Sequence, residues 1–289
     1  MAATIRKLRN SDREDIMEIS RHIWEGHDYL SSVVDKWLLD PSSHFYGVEV
    51  GGHVVAVGNI RLVEDGRTGW MEGLRVHPEY RGRGFANDIT QHIVRKAEHL
   101  GVERLRYTTS DENVASMKLA KMAGFSRILR MAVLWHHNPQ SISPPADYPS
   151  IQKRSPERAC ELLRTNPRIV PRGILVYDWK ALDNTCQNLE EIGKTHTFYI
   201  ALKRRKVDSL SLGRRGQEPN EPFWGFAIYA TDSCGFLSQL SHNVAMALKS
   251  GPSSIACTFE TRFEKTLNEV DLGSEEHQKT HVVLLEKQM

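Results

Sequence analysis

The segment Val76-His77-Pro78-Glu79-Tyr80-Arg81-Gly82-Arg83-Gly84-Phe85-Ala86 constrains this chain more than any other, because it joins two regular elements through a basic, glycine-rich turn. Before it, Trp70 to Val76 reads as a strand. After it, Phe85 to Leu100 carries Ile89, Ile93, Val94 and Ala97 at helical spacing, and Gly101 supplies a stop. Glycines there let the backbone approach an anion closely, and the first N–H groups of the helix point outward with the positive end of its dipole behind them. A pyrophosphate is the expected guest of Gly82, Gly84, Phe85 and Ala86. Arg81 and Arg83 can add charge-assisted bonds to it or to a ribose 3′-phosphate. The loop is neither of two common nucleotide loops, since GxxxxGK[ST] and GxGxxG are both absent.

The flanking sequence predicts the remaining elements. Thr4 to Leu8 is a strand pattern, and Asn10-Ser11-Asp12 can cap a helix through Asp15, Ile16, Ile19 and Ile23. Ser31 to Leu38 is a second helix, ending before Pro41, and the two form a candidate lid. Phe45 to Val50 and Val54 to Leu62 flank Gly51-Gly52 as an antiparallel hairpin. Arg104 to Thr109 is a strand, Val114 to Met122 a helix opened by Asn113 and closed by Ala123-Gly124-Phe125, and Arg130 to Trp135 a last strand. The order predicts an α/β (α+β) fold, a mixed twisted sheet flanked by helices.

With 289 residues the chain has room for a second domain. Asn138 to Pro149 holds Pro139, Pro144, Pro145 and Pro149 among serines and reads as an extended linker, so residues 1–137, 138–150 and 151–289 are expected as first domain, linker and second domain. Beyond the linker, Phe223 to Tyr229, Phe236 to Leu248 and Ile255 to Phe259 repeat the strand, helix, strand order of Trp70 to Thr108 without a glycine-rich connector. A degenerate second copy of the first fold accounts for that order.

A formal net charge of +2, with basic and acidic residues interleaved, leaves no footprint for nucleic acid. The run Lys203-Arg204-Arg205-Lys206 reads as a solvated loop, with a localisation signal as the other reading. Cys160, Cys186, Cys234 and Cys257 form no CxxC pair and are expected as reduced, buried thiols. No apolar stretch approaches the roughly 18 residues of a membrane span, so no membrane and a cytoplasmic location are the default. HExxH and zinc-ligand spacings are absent, and no catalytic metal is expected. Nor is there a GxSxG elbow for a serine nucleophile.

Arg81-Gly82-Arg83-Gly84-Phe85-Ala86 resembles the R/Q-x-x-G-x-G/A signature of the GNAT acetyltransferases, and Leu74-Arg75-Val76-His77-Pro78-Glu79-Tyr80 looks like that family's lead-in. Asn113, Ser116, Leu119 and Gly124-Phe125 resemble its later motif, and the likeness covers roughly residues 4 to 135. The resemblance implies a GNAT fold, with a degenerate GNAT-like second domain, and acetyl-CoA as acetyl donor. It implies that Leu74, Arg75 and Val76 offer backbone groups to the pantetheine and the thioester oxygen, with Asn113 and Ser116 flanking the arm. The acceptor amine must be neutral to attack. Glu72, expected on the same side of its strand as Leu74, is nominated as base or ammonium anchor, with an arginine-paired structural glutamate as the other reading. The tyrosine that often follows the leucine of the second motif is Ala120 here, which leaves Tyr29 and Tyr107 as substitute acids by residue type alone, or solvent.

The segment His22-Ile23-Trp24-Glu25-Gly26-His27-Asp28-Tyr29-Leu30 and the strand Gly69 to Leu74 resemble the GNAT subgroup that includes vertebrate histidine N-acetyltransferase. Glu25, Asp28 and Glu72 are then candidate holders of an ammonium or imidazole, and Trp24 or Tyr29 of the ring. Ordinary packing and carboxylate pairing remain open for these residues. The functions expected are acetylation of a small amine, free histidine first, then of a peptide or protein amine, then acyl-CoA sensing without turnover.

Overall fold

A computed structural model of the protein describes residues 3–23, 28–143, 150–217, 221–273 and 277–289. The chain divides into two compact units: Met1–Tyr107, Asn113–Ile128 and Leu285–Met289 make the first, and Thr108–Glu112 with Leu129–Leu284 the second. The division does not fall in the proline-rich segment. There Pro139–Ser141 forms a 3₁₀ turn with Pro139 buried, Ile142 is buried, and Ser143 pairs with Asp271. Residues 144–149 of the expected linker lie outside the described residues.

The first unit runs β1 (Ala3–Lys7), α1 (Arg13–Arg21), α2 (Leu30–Leu39), β2 (Ser43–Val50), β3 (His53–Val63), β4 (Thr68–Val76), α3 (Phe85–Leu100), β5 (Arg104–Ser110), α4 (Val114–Met122) and the start of β6 (Ser126–His136). Its strands lie in the order β1-β2-β3-β4-β5, antiparallel except for the parallel β4–β5 pair. β3 is buried from Val54 to Ile60 because helices cover both faces of the sheet. Val57 joins Ile16, Ile19, Val34 and Trp37 in the core under α1 and α2, whereas Gly58 faces Ile89 and Ile93 of α3. Asp12, expected to cap α1, makes no cap there; its carboxylate takes two hydrogen bonds from Arg6, at 2.7 and 2.8 Å, and ties β1 to the helix start.

The second unit adds β7 (Ile151–Arg154), α5 (Pro156–Thr165), the hairpin β8 (Ile174–Tyr177) and β9 (Lys180–Asp183), α6 (Cys186–Gly193), β10 (Thr197–Lys203), β11 (Lys206–Gln217), β12 (Pro222–Ala230), α7 (Ser233–Ser250), β13 (Ser254–Glu260), α8 (Glu264–Asn268) and β14 (His277–Gln288). Apart from the β8–β9 hairpin it repeats the first unit: strand, two helices, three antiparallel strands, helix, parallel strand, helix, strand. The repeat is degenerate where the first unit carries its glycine loop. Asp232 caps α7 by accepting from the Gly235 N–H at 2.9 Å, so a carboxylate stands at the helix start. β12 and β13 also stay paired over six residues, from Phe223–Ser254 to Ile228–Phe259.

The cysteine expectation is corrected, while the basic run is an exposed turn as expected. Cys160 and Cys186 form a disulfide with Cα atoms 5.1 Å apart, and Cys234 is exposed; only Cys257 is a buried free thiol, its pKa pushed up by burial. The spacing missed the pair because its two cysteines sit on neighbouring helices, α5 and α6, 26 residues apart in sequence. The basic run Lys203 to Lys206 is the β10–β11 hairpin, with Arg204 and Arg205 both at positive φ in its two-residue turn. Among the described residues no helix is long and apolar enough to cross a membrane.

Candidate active site

Two departures from regular pairing shape β4. Its register with β3 slips between Val57–Arg75 and Asn59–Glu72, placing Gly73 and Leu74 opposite the single residue Gly58. Gly73 takes φ of +68°, and a Cβ there would meet the Trp37 ring at 2.5 Å, so this bulge admits only glycine without rearrangement. On the other edge, β4 pairs with β5 only from Thr68–Arg104 to Trp70–Arg106. Beyond Trp70 that edge of β4 pairs with no strand among the described residues, which leaves the backbone of Leu74, Arg75 and Val76 without a ladder partner on that side.

The bulge also overturns one expectation. Glu72 and Leu74 do not share a side: Leu74 reaches the α3 side, with its Cδ1 3.6 Å from where a Gly58 Cβ would be, while Glu72 bonds to Asn59 and Arg61. The inserted residue breaks the period of two on which the expectation rested.

Beyond β4 the chain passes through a 3₁₀ turn, Pro78–Tyr80, into the glycine loop. Gly82 and Gly84 stand at φ of +76° and +89°, and no atom lies within 4 Å of a Cβ built on either, so the loop keeps open space above its backbone. Gly84 is the N-cap of the 16-residue α3 and supplies no capping side chain. The N–H groups of Phe85 and Ala86 thus have no side-chain cap competing with an anion. Arg81 bonds the Val76 carbonyl and Arg83 the Glu79 carbonyl, both on exposed side chains flanking the loop, with Arg83 over the Tyr80 ring. This cradle fits a pyrophosphate. Asn113 accepts from the Ser116 N–H at 3.0 Å and caps α4, so its side-chain oxygen is committed to the helix.

On the α1/α2 side of β4, six side chains gather. Glu72 Oε1 accepts from Arg61 Nε at 3.1 Å and from Asn59 Nδ2 at 3.4 Å. Tyr29 OH accepts from the Gly73 N–H at 3.2 Å, next to Glu72, and its ring lies under the Arg75 guanidinium. Loss of solvation raises the Tyr29 pKa above that of an ordinary phenol, against the opposing pull of Arg75. Asp28, expected as an ammonium anchor, is instead held bidentately by Arg75, at 3.0 and 2.9 Å, with its carboxylate wholly buried. Burial alone would lower the Arg75 pKa; the Asp28 bonds and the Tyr29 neighbour raise it. Trp24 and Glu25 lie outside the described residues. Tyr107 points elsewhere, its hydroxyl 3.4 Å from the Ser116 carbonyl.

The residue that sequence reasoning could not single out is Arg61. Its link to Glu72 depends on the β3–β4 register, and the bulge sets that register. Among the described residues one group of metal-ligating side chains is present, Glu18, His22 and His77, with ligand atoms within 4.8 Å of one another. His22 bonds Glu18 at 3.0 Å, and His77 Nδ1 accepts from the Glu79 N–H.

Residues 7–125 match the acetyltransferase (GNAT) family. The chain is 32% identical over 124 residues to an acetyltransferase of Photorhabdus laumondii, a match covering 40% of this chain and 82% of that one. The chain belongs to the GNAT family. Among other GNAT relatives, human "Probable N-acetyltransferase 16" is 35% identical over 101 residues, covering 34% of this chain and 27% of that one. Histidine N-acetyltransferase of Oreochromis niloticus is 32% identical over 103 residues, covering 35% and 31%. The chain thus matches about a third of the length of these two relatives. The crystal structure of a GCN5-related N-acetyltransferase from Sphaerobacter thermophilus has the same fold, with a TM-score of 0.65 at 13% identity over 99% of this chain and 95% of that one. The position where many GNAT enzymes carry a tyrosine acid is Ala120 here, buried in α4.

Proposed function

We propose that the protein is an N-acetyltransferase that moves the acetyl group of acetyl-CoA to the α-amine of a small molecule, with free L-histidine as the first candidate acceptor. The observation that carries the reading is the juxtaposition at the β4 bulge. Glu72, with Oε2 unpartnered among the described residues, stands beside the Tyr29 hydroxyl, on the strand that leads directly into the glycine loop.

Gly82, Gly84 and the first N–H groups of α3 would hold the pyrophosphate of acetyl-CoA, with Arg81 and Arg83 at its rim and the freed edge of β4 along the pantetheine. When bound, acetyl-CoA supplies an acetyl thioester, whose carbonyl carbon gains a bond to the amine nitrogen as its bond to sulfur breaks. Glu72 Oε2 accepts the proton that the amine loses. Tyr29 takes a hydrogen bond from the Gly73 N–H, which leaves its own proton to donate to the departing sulfur, and its raised pKa keeps that proton in place at neutral pH.

Histidine is favoured by histidine N-acetyltransferases to which this chain is 30–32% identical over 103–110 residues and by a site that sets a carboxylate and an aromatic ring side by side. The test is thiol release from acetyl-CoA by purified protein against free amino acids, simple amines and short peptides, with product masses confirmed. Acetylation confined to histidine or a few amino acids supports the reading. Activity on peptides alone would replace it with a peptide or protein acetyltransferase.

A further inference from the structure

Four arginines lie on β3, β4 and β5, and three of them are engaged. Arg75 is spent on Asp28 and the Leu74 carbonyl. Arg104 bonds Glu64 and Thr68, and Arg106 bonds Glu286. Arg61 differs. It gives Nε to Glu72, and its two terminal nitrogens have no hydrogen-bond partner among the described residues; Asp40 feels its charge but directs its own carboxylate to Ser42. The Arg61 side chain is 28% exposed and that of Glu72 13%, so both can be reached yet are largely shielded from water.

The pair is therefore half used on each side. Two N–H-bearing nitrogens of Arg61 and one carboxylate oxygen of Glu72 stand next to each other, offering a fork of donors beside an acceptor. We propose that Arg61 and Glu72 together bind the acceptor as an α-amino acid, its carboxylate on the terminal nitrogens of Arg61 and its amine on Glu72 Oε2. This rests on the reading of the protein as an amine acetyltransferase and narrows it. The substrate class is amines with a free carboxylate on the same carbon; amines lacking that carboxylate, and peptide amino termini, leave the Arg61 fork unpaired. A planar guanidinium fork matches a carboxylate geometrically. A site built around such a bond rejects the analogue that lacks it far more strongly than a missing methylene would be rejected. Arg61 also fixes Glu72 through Nε, so one residue sets both where the amine is held and which amines are accepted.

The experiment compares L-histidine, L-histidinamide and histamine, which share the imidazole and an amine but differ at the carboxylate. Full-length protein is used, with the wild type beside Arg61→Gln and Arg61→Lys, folding being checked by thermal melts. Expected for the wild type is a preference for histidine over both analogues of about 100-fold or more in kcat/KM. In Arg61→Gln, kcat/KM for histidine falls about 100-fold further than that for histamine, chiefly through KM, and Arg61→Lys recovers part of the preference. A wild type that acetylates histidine and histamine equally well overturns the inference and leaves the proposed function standing; this arm needs no variant. An equal loss on both substrates in Arg61→Gln also overturns it, reducing Arg61 to a positioning residue for Glu72. A wild type silent on every small amine takes down the proposed function with it.

Discussion

Glu72 has two carboxylate oxygens with different fates, and the difference makes a testable distinction between structure and chemistry. Oε1 is held by Arg61 and Asn59, and these bonds survive in part if the residue becomes glutamine. Oε2 is the base in the proposed reaction, and an amide cannot take a proton there. Glu72→Gln should lower kcat about 10²- to 10⁴-fold while leaving the acetyl-CoA Kd nearly unchanged by calorimetry; normal turnover would remove Glu72 from the mechanism. At the other end of the site, Gly84→Trp should abolish acetyl-CoA binding, because the open space above Gly84 is where an indole would stand. The same substitution must also adopt φ of +89°, so a melting curve is needed to confirm that the loss is local. The place of Gly84 at the start of α3 was legible from sequence because it depends on residues adjacent in the chain. The pairing of Asp28 with Arg75 was not, since 47 residues separate them and either could have faced a ligand.

Among the elements, β4 is the one in which the bulge and the parting from β5 occur within a few residues. Gly73→Ala should cost about 1–3 kcal/mol of stability from the forced positive φ and lower turnover as well, since the Tyr29 contact is made to the Gly73 N–H. Denaturant midpoints and kcat, measured together, check both. Strand and helix positions could be read from periodicity, but the bulge could not. A period-of-two reading assumes an unbroken strand, and it put Leu74 on the wrong face. The Arg6–Asp12 clamp between β1 and α1 gives an expectation in pH. The Arg6 bonds lower the Asp12 pKa in the folded state. The associated stabilisation is therefore full above the unfolded value of about 3.9 and is lost as pH falls through the folded one. Asp12→Asn and wild type should differ in melting temperature at neutral pH and converge on acidification.

At the scale of the whole molecule, the second unit keeps the fold of the first without the early parting of its parallel strands or its open helix start. A carboxylate at the N-terminus of α7 repels the anion that the equivalent end of α3 is proposed to hold. Calorimetry should find one acetyl-CoA per chain, and two would show that the repeat is functional. The last five residues, by contrast, belong to the first unit. Glu286 bonds the nearly buried Arg106 at 2.7 Å, and the Met289 N–H reaches the Glu103 carbonyl at 3.0 Å. Glu286→Ala should destabilise the first unit by about 3–5 kcal/mol, and a fragment ending near Asn138 should fold poorly for the same reason. The order of synthesis then matters. Domains generally fold as units from the amino terminus while the chain is still being made. Here the first unit includes Leu285–Met289, so its contacts are completed only after the intervening stretch Leu129–Leu284 of the second unit has been made.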